Sequence, residues 1–174
     1  MKRSAETPID PFKRALILAL PALVLSKTRA FSNDVVELSW ADLMPEGQPF
    51  IPESLFGIID HDTAPLYSQQ PASSGVRTDW NGQTVKIPGY ILPIDFEGTG
   101  VKVFILVPYV GACVHVPPPP ANQLVLVTAE TPYQSNGLFE AVNVTGLFGT
   151  TSTSTELADV GYALAAERIE PHRY

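Results

Sequence analysis

The chain has 174 residues, of which 18 are acidic and 11 are basic, giving a formal net charge of −7 at pH 7. Nucleic acids bind to cationic surfaces, so this acidic balance argues against a nucleic-acid partner. The length suits one domain with a sizeable core, and a single Cys excludes an internal disulfide.

Residues 1–30 are predicted to form a cleavable signal peptide. Basic residues at positions 2, 3, 13 and 14 precede an apolar run over residues 15–25, which is too short to span a bilayer comfortably. Small residues at Thr28 and Ala30 place the predicted cleavage after Ala30. The alternative is an amphipathic or buried N-terminal helix. No Cys adjoins the cleavage point, so we expect a periplasmic protein that is not a lipoprotein and has no transmembrane helix once mature.

Residues 31–75 are predicted to form an irregular N-terminal arm, because Pro, Gly and Ser accumulate there. Ser39 is a candidate N-cap for a short turn that Pro45 ends, and Trp40 is expected to cover an apolar face of the domain that follows. The arm also contains Asp60, His61 and Asp62 in succession. This triplet is either a solvated turn or a contributor to a metal site.

Residues 76–174 show one strand pattern after another. Pro88 and Pro93 are expected to bend or bulge the first strand, and residues 149–155 are predicted to be a polar turn. The predicted strands cover residues 84–94, 101–107, 124–127, 141–148 and 162–169. Five strands with short connections predict a mainly β fold, a small closed five-stranded barrel of the oligonucleotide/oligosaccharide-binding (OB) type, with an irregular N-terminal extension.

The loop between the second and third predicted strands contains the most distinctive residues of the chain. Four consecutive prolines stiffen it as a polyproline II segment. If the segment that carries them is extended, Cys113 and His115 point to the same side and could hold a transition metal. The alternative is that Cys113 packs as a small apolar residue and His115 bonds to the backbone of the loop. A tight site needs a further ligand, from His61, Asp60, Asp62 or His172. Loop architecture or partner docking is predicted for Pro117, Pro118, Pro119, Pro120, Asn122 and Gln123.

The same loop carries a family resemblance. The run from Leu106 to Gln123 includes Gly-Ala-Cys-x-His-Val-Pro-Pro-Pro-Pro-x-Asn-Gln, and the flanks add Val-Lys-Ile-Pro-Gly-Tyr at 85–90 and Gly-Tyr-Ala-Leu at 161–164. Across residues 39–171 the chain resembles the bacterial exported proteins called domain of unknown function 3299. The resemblance implies export, genes adjacent to ABC transporters of the lipoprotein-release type, and in some cases zinc-responsive genes. It implies no activity.

Two hypotheses about function follow. The first is a periplasmic accessory protein that binds zinc or copper through Cys113 and His115, with His61 as a further ligand, and works with an ABC transporter. The second is a metal-free interaction module of an envelope complex, with the Pro-rich loop as its docking surface. The chain is not expected to be an enzyme, although a hydrolytic or redox activity of the Cys/His pair stays open as a third alternative.

Overall fold

The structure is a computed structural model that describes residues 34–47, 69–97 and 100–173. All of these residues belong to one unit, Asn33–Tyr174. The predicted leader and the triplet at residues 60–62 lie outside the described residues. No helix in the described part of the chain is long and apolar enough to cross a membrane.

In the described part of the chain, six strands form one sheet that closes on itself. They are β1 (Val36–Glu37), β2 (Thr84–Glu97), β3 (Gly100–Val107), β4 (Val125–Tyr133), β5 (Ala141–Ser154) and β6 (Asp159–Pro171). In order along the sheet, β1, β2, β3, β4, β6 and β5 are neighbours, and β5 pairs again with β2. The predicted closed five-stranded barrel is therefore confirmed, with β1 as an additional short strand.

Strand β2 closes the barrel because its two halves have different partners. Residues 84–90 pair with β5, whereas residues 90–97 pair with β3 on the opposite edge. The ladder with β3 is irregular between Pro93 and Phe96, as expected where a proline interrupts donation and the strand must bend. Strands β4 and β6 are parallel, while the other barrel pairs are antiparallel. This arrangement is compatible with the predicted OB type.

Two clusters of apolar side chains form the core. The larger one fills the barrel, and Phe104, Ile87 and Tyr162 in it are fully buried. The smaller one lies where β3 leads into the loop before β4. Its buried members are Leu92, Ile105, Val107, Tyr109, Ala112, Cys113, Leu124, Ala158 and Val160.

The described parts of the N-terminal arm are attached to the barrel at several points. Strand β1 pairs in parallel with the start of β2, an element that the sequence analysis did not predict. The indole N–H of Trp40 donates to the Pro88 carbonyl at 2.8 Å, and its ring is buried in the larger core cluster. The expectation that Trp40 covers the barrel is confirmed. The Tyr162 hydroxyl donates to the Leu43 carbonyl at 2.8 Å and accepts from the Arg77 amide at 2.7 Å.

The turn after Ser39 has a different cap from the one predicted. The Ser39 amide and hydroxyl both donate to Oδ2 of Asp42, at 2.8 and 2.6 Å. The carboxylate three residues later therefore does the capping. The hydrogen bond from the Ser39 hydroxyl, followed by the one from its amide, lowers the pKa of Asp42.

The predicted polar turn at residues 149–155 is wrong. Strand β5 continues to Ser154 and pairs with β6 through Thr150 and Thr153. The composition of residues 149–155, rich in Thr, Ser and Gly, is typical of a turn. Residues 149–154 nevertheless extend β5, because β6 provides backbone hydrogen-bond partners for them. The reversal comes later, where the Thr155 amide and hydroxyl donate to the Ala158 carbonyl at 2.9 and 2.8 Å.

Candidate functional site

The loop that follows β3 makes a tight turn around one carbonyl group. The Gly111 carbonyl accepts backbone N–H groups from Val114, His115 and Val116 at 3.2, 2.8 and 3.2 Å. Gly111 has a φ of 91°, and Cys113 also has a positive φ of 66°. A left-handed conformation is uncommon for a residue with a side chain. The segment is therefore curled rather than extended.

Cys113 is packed inside the smaller core cluster. Its exposed fraction is 5%, and its neighbours in the cluster are apolar. Burial raises the pKa of the Cys113 thiol to about 12, because a thiolate would lose its hydration there. Nucleophiles and metal ligands need the thiolate form. The Cys113 side chain therefore packs here as a small apolar group.

His115 lies on the outside of the same turn. Its side chain is exposed, and its ring is tilted against that of Phe139 with 6.3 Å between ring centroids. The expectation that Cys113 and His115 point to one side is wrong, because it assumed an extended segment. The curled backbone places one residue in the core and the other in solvent.

Of the other predicted metal ligands, only His172 belongs to the described part of the chain. His172 lies at the end of β6, where its Nδ1 is 3.0 Å from Oδ1 of Asn143. His61 lies outside the described residues. Within residues 34–47, 69–97 and 100–173, no group of three His, Cys, Asp or Glu side chains could hold a metal ion.

The proline segment is packed under the arm. Pro117, Pro118 and Pro119 are buried, and Pro120 is half-buried before the short 3-10 helix Ala121–Gln123. The side-chain amide of Gln70 donates to the Pro119 carbonyl and to the Asp159 carbonyl, both at 2.9 Å. The prolines therefore support the loop from within, and the exposed residues of the loop, Val110 and His115, come before them.

Asn122 and Gln123 serve as anchors for the arm. The Asn122 amide nitrogen donates to the Gly75 carbonyl at 2.8 Å and to the Ser74 hydroxyl at 3.2 Å. The Gln123 amide nitrogen donates to the Trp40 carbonyl at 3.0 Å. Both side chains are buried. Loop architecture was one of the two roles predicted for them, and their long-range partners belong to the arm.

A second loop, between β4 and β5, is organised internally by the Glu140 carboxylate. This carboxylate accepts hydrogen bonds from Tyr133, Ser135 and Asn136 at 2.7 to 3.0 Å. Partial burial would raise the pKa of Glu140, but the hydrogen bonds outweigh it and the net pKa is lowered. Backbone bonds of 3.0 and 2.9 Å also join Glu140 and Phe139 to Ile91 on β2.

Each of the two loops exposes one aliphatic side chain, and we call Val110, His115, Leu138 and Phe139 together the rim. Val110 and Leu138 are each 53% exposed, and the His115–Phe139 ring contact joins the loops. Of these four residues, only His115 was a predicted site residue. Val110 and Leu138 lie in loops, where no periodic pattern of apolar residues indicates whether a side chain is buried or exposed.

The fold and the loop define a class of protein: a closed five-stranded β barrel with a buried cysteine turn and an N-terminal arm bound to its surface. The chain belongs to the DUF3299 family, described as proteins of unknown function, whose sequence model matches residues 40–171. It is similar to the crystal structure of a DUF3299 protein from Pseudomonas aeruginosa PAO1, with 34% identity and a TM-score of 0.69. That match covers 81% of this chain and 98% of the other. No curated protein matches the chain.

Proposed function

We propose that this protein is an accessory protein of the cell envelope that binds another protein through the rim. The observation that carries the proposal is the pair of half-exposed aliphatic side chains, Val110 and Leu138, on two loops that join at the His115–Phe139 contact. Exposed apolar groups gathered at one place are typical of protein-binding surfaces.

The rim is held in place before any partner arrives. Three N–H groups converge on the Gly111 carbonyl in one loop, and the Glu140 carboxylate organises the other. A surface that is already ordered loses less entropy on binding. The order of the two loops therefore supports a role in binding and not only in connecting strands.

Export to the periplasm and a transporter as partner are also part of the proposal. The leader pattern at residues 1–30 supports export, and the family resemblance favours an ABC transporter of the lipoprotein-release type. We propose the metal-free form of the hypothesis, because the Cys113 thiol is buried with a raised pKa and such a thiol is a poor metal ligand or nucleophile.

Site-specific crosslinking in the native host tests the proposal. A photoreactive residue replaces Val110 or Leu138 in the full-length chain, and Val76, which is 39% exposed and outside the rim, is the matched control position. We expect both rim positions to give the same crosslinked protein and Val76 to give none of it. Equal crosslinking from all three positions, or none from the rim, would overturn the proposal.

Titration with zinc and, anaerobically, with copper(I) separates this proposal from the metal hypothesis. The wild-type chain is compared with the Cys113→Ala/His115→Ala double variant. We expect the two proteins to take up the same small amount of metal. Tight stoichiometric binding by the wild type that the variant lacks would establish the metal hypothesis in place of ours.

A further inference from the structure

A groove opens on the barrel surface where β4 and β6 separate. These parallel strands are paired from Val125 with Tyr162 as far as Ala129 with Ala166, and their ladder ends there. Strand β4 continues to Tyr133 and β6 to Pro171. The groove has a volume of about 920 Å³.

The strands that border the groove have free backbone edges. Beyond Ala166, β6 continues to pair with β5 on one side, up to Pro171 with Val142. Its other side has no strand partner among the described residues. Strand β4 is also bulged here, since the ladder with β3 moves from Thr128 directly to Tyr133. An unpaired edge offers N–H and C=O groups to an added strand.

The floor of the groove suits an extended chain with alternating side chains. Thr128, Ala165 and Leu147 come from three successive strands and are paired across them. Leu147 is 48% exposed, and the two residues beside it are small. Among the described residues that line the groove, Tyr133 is the one aromatic. A sugar ligand usually stacks on aromatic faces, so this lining favours a peptide.

The charges of the groove specify a cationic occupant. Lys102 is neutralised by Glu97 at 2.7 Å, and Arg168 by Glu170 at 3.4 Å. Glu130 and Glu167 are exposed along the groove, and within the part of the chain that the structure describes neither has an ion-pair partner. The net field in the groove is therefore negative, which attracts a basic segment.

We propose that this groove binds an extended cationic peptide segment of a partner protein, which adds as a strand to the free edge of β6 with its basic side chains towards Glu130 and Glu167. This site is separate from the rim. It does not depend on the rim being a docking surface, and the variants that test the two sites share no residue.

Fluorescence anisotropy with a defined probe tests the proposal. The probe is an acetylated, labelled heptapeptide in which Lys alternates with Val, added to the full-length chain. We expect Glu130→Gln/Glu167→Gln to weaken binding about fivefold, as the loss of two surface charge pairs implies. Glu46→Gln/Glu156→Gln removes the same charge from exposed positions outside the groove and is expected to leave binding unchanged.

A second probe tests the added strand. Methylation of alternate backbone nitrogens removes the donors of one peptide edge and leaves every charge in place, so we expect about tenfold weaker binding. Amide shifts of Glu167 and Arg168 on addition of the first probe would place it at the edge. Equal affinity of both probes, equal affinity of both charge variants, or no binding at all would overturn the proposal. These outcomes do not bear on crosslinking at the rim.

Discussion

Cys113 and His115 are two residues apart, yet the thiol is 5% exposed inside an apolar cluster while the imidazole is in solvent beside Phe139. The cause is the positive φ at Cys113 and the convergence of three N–H groups on Gly111. The two side chains therefore have separate roles. Cys113 fixes the base of the turn, and His115 belongs to the surface that the turn presents.

The Cys113 thiol is expected to be unreactive in the folded protein. Burial raises its pKa to about 12 from an ordinary value of 9.0, so the thiolate fraction at pH 8 is very small. A thiol-labelling reagent should react slowly with the native chain and rapidly after unfolding in urea. Rapid labelling of the native chain at pH 8 would contradict the burial of this thiol.

The same thiol should make stability fall at alkaline pH. The folded state holds this proton more tightly than the unfolded state, so the contribution is fully present below about pH 9 and is lost as pH rises towards 12. The slope from this group is at most about 1.4 kcal/mol per pH unit. The contribution of Cys113 is measured by urea unfolding of the wild type and of Cys113→Ala at several pH values. The tyrosines titrate in both proteins, so the difference between the two profiles belongs to the thiol. Identical pH profiles would contradict the prediction.

Replacement of Asn122 should loosen the arm. Its amide nitrogen donates to the Gly75 carbonyl from a fully buried position, and loss of a hydrogen bond made by a side chain costs about 0.5–1.5 kcal/mol. We expect Asn122→Ala to lose about that free energy of unfolding. Asn122→Asp should lose more, since it sets a carboxylate against the carbonyl. Faster amide exchange at residues 73–77, measured by NMR, would connect the loss to the arm; a loss with unchanged exchange there would contradict this assignment.

The barrel could be predicted from the sequence because its strands are long apolar or alternating runs, as over residues 101–107. The second half of β5 could not, since its Thr, Ser and Gly become a strand only through pairing with β6. The loop that carries the candidate site could be singled out from the sequence, but its backbone conformation could not be predicted. The prediction that Cys113 and His115 share one side assumed an extended backbone. The backbone at Cys113 instead has a positive φ, which depends on the packing of the thiol into the core and could not be predicted from the local sequence.

Glu140→Gln should loosen the rim in a pH-dependent way. Partial burial opposes ionisation, but hydrogen bonds from Asn136, Ser135 and Tyr133 lower the pKa of Glu140 below its ordinary 4.5. Its contribution to stability is therefore present above about pH 4.5 and is lost as pH falls through the lowered pKa. We expect the variant to be about 1 kcal/mol less stable at pH 7, with the difference from wild type shrinking below pH 4.

The control for Glu140 is Glu156→Gln, because Glu156 is exposed in the turn between β5 and β6. This variant should match the wild type at every pH. If both variants lose equal stability, the effect comes from net charge and not from the hydrogen bonds in the loop. Glu140→Gln should also reduce crosslinking from Leu138, since it loosens the loop that presents that side chain.

Two glycines on β5 offer a matched test of how closely β5 and β6 approach. A Cβ at Gly146 would overlap the Ala165 carbonyl, whereas a Cβ at Gly149 has no atom within 4 Å. Neither residue has a positive φ, so both accept Ala without backbone strain and differ only in the space available for a Cβ atom.

We expect Gly146→Ala to cost about 1–3 kcal/mol through overpacking and Gly149→Ala to change stability by less than about 0.5 kcal/mol. Because Ala165 also lines the groove, Gly146→Ala should weaken binding of the cationic peptide as well. Urea unfolding of both variants measures the change in stability, and fluorescence anisotropy measures binding of the peptide. Equal effects of the two substitutions would contradict the prediction and show that β5 and β6 can move apart to accommodate the added methyl group.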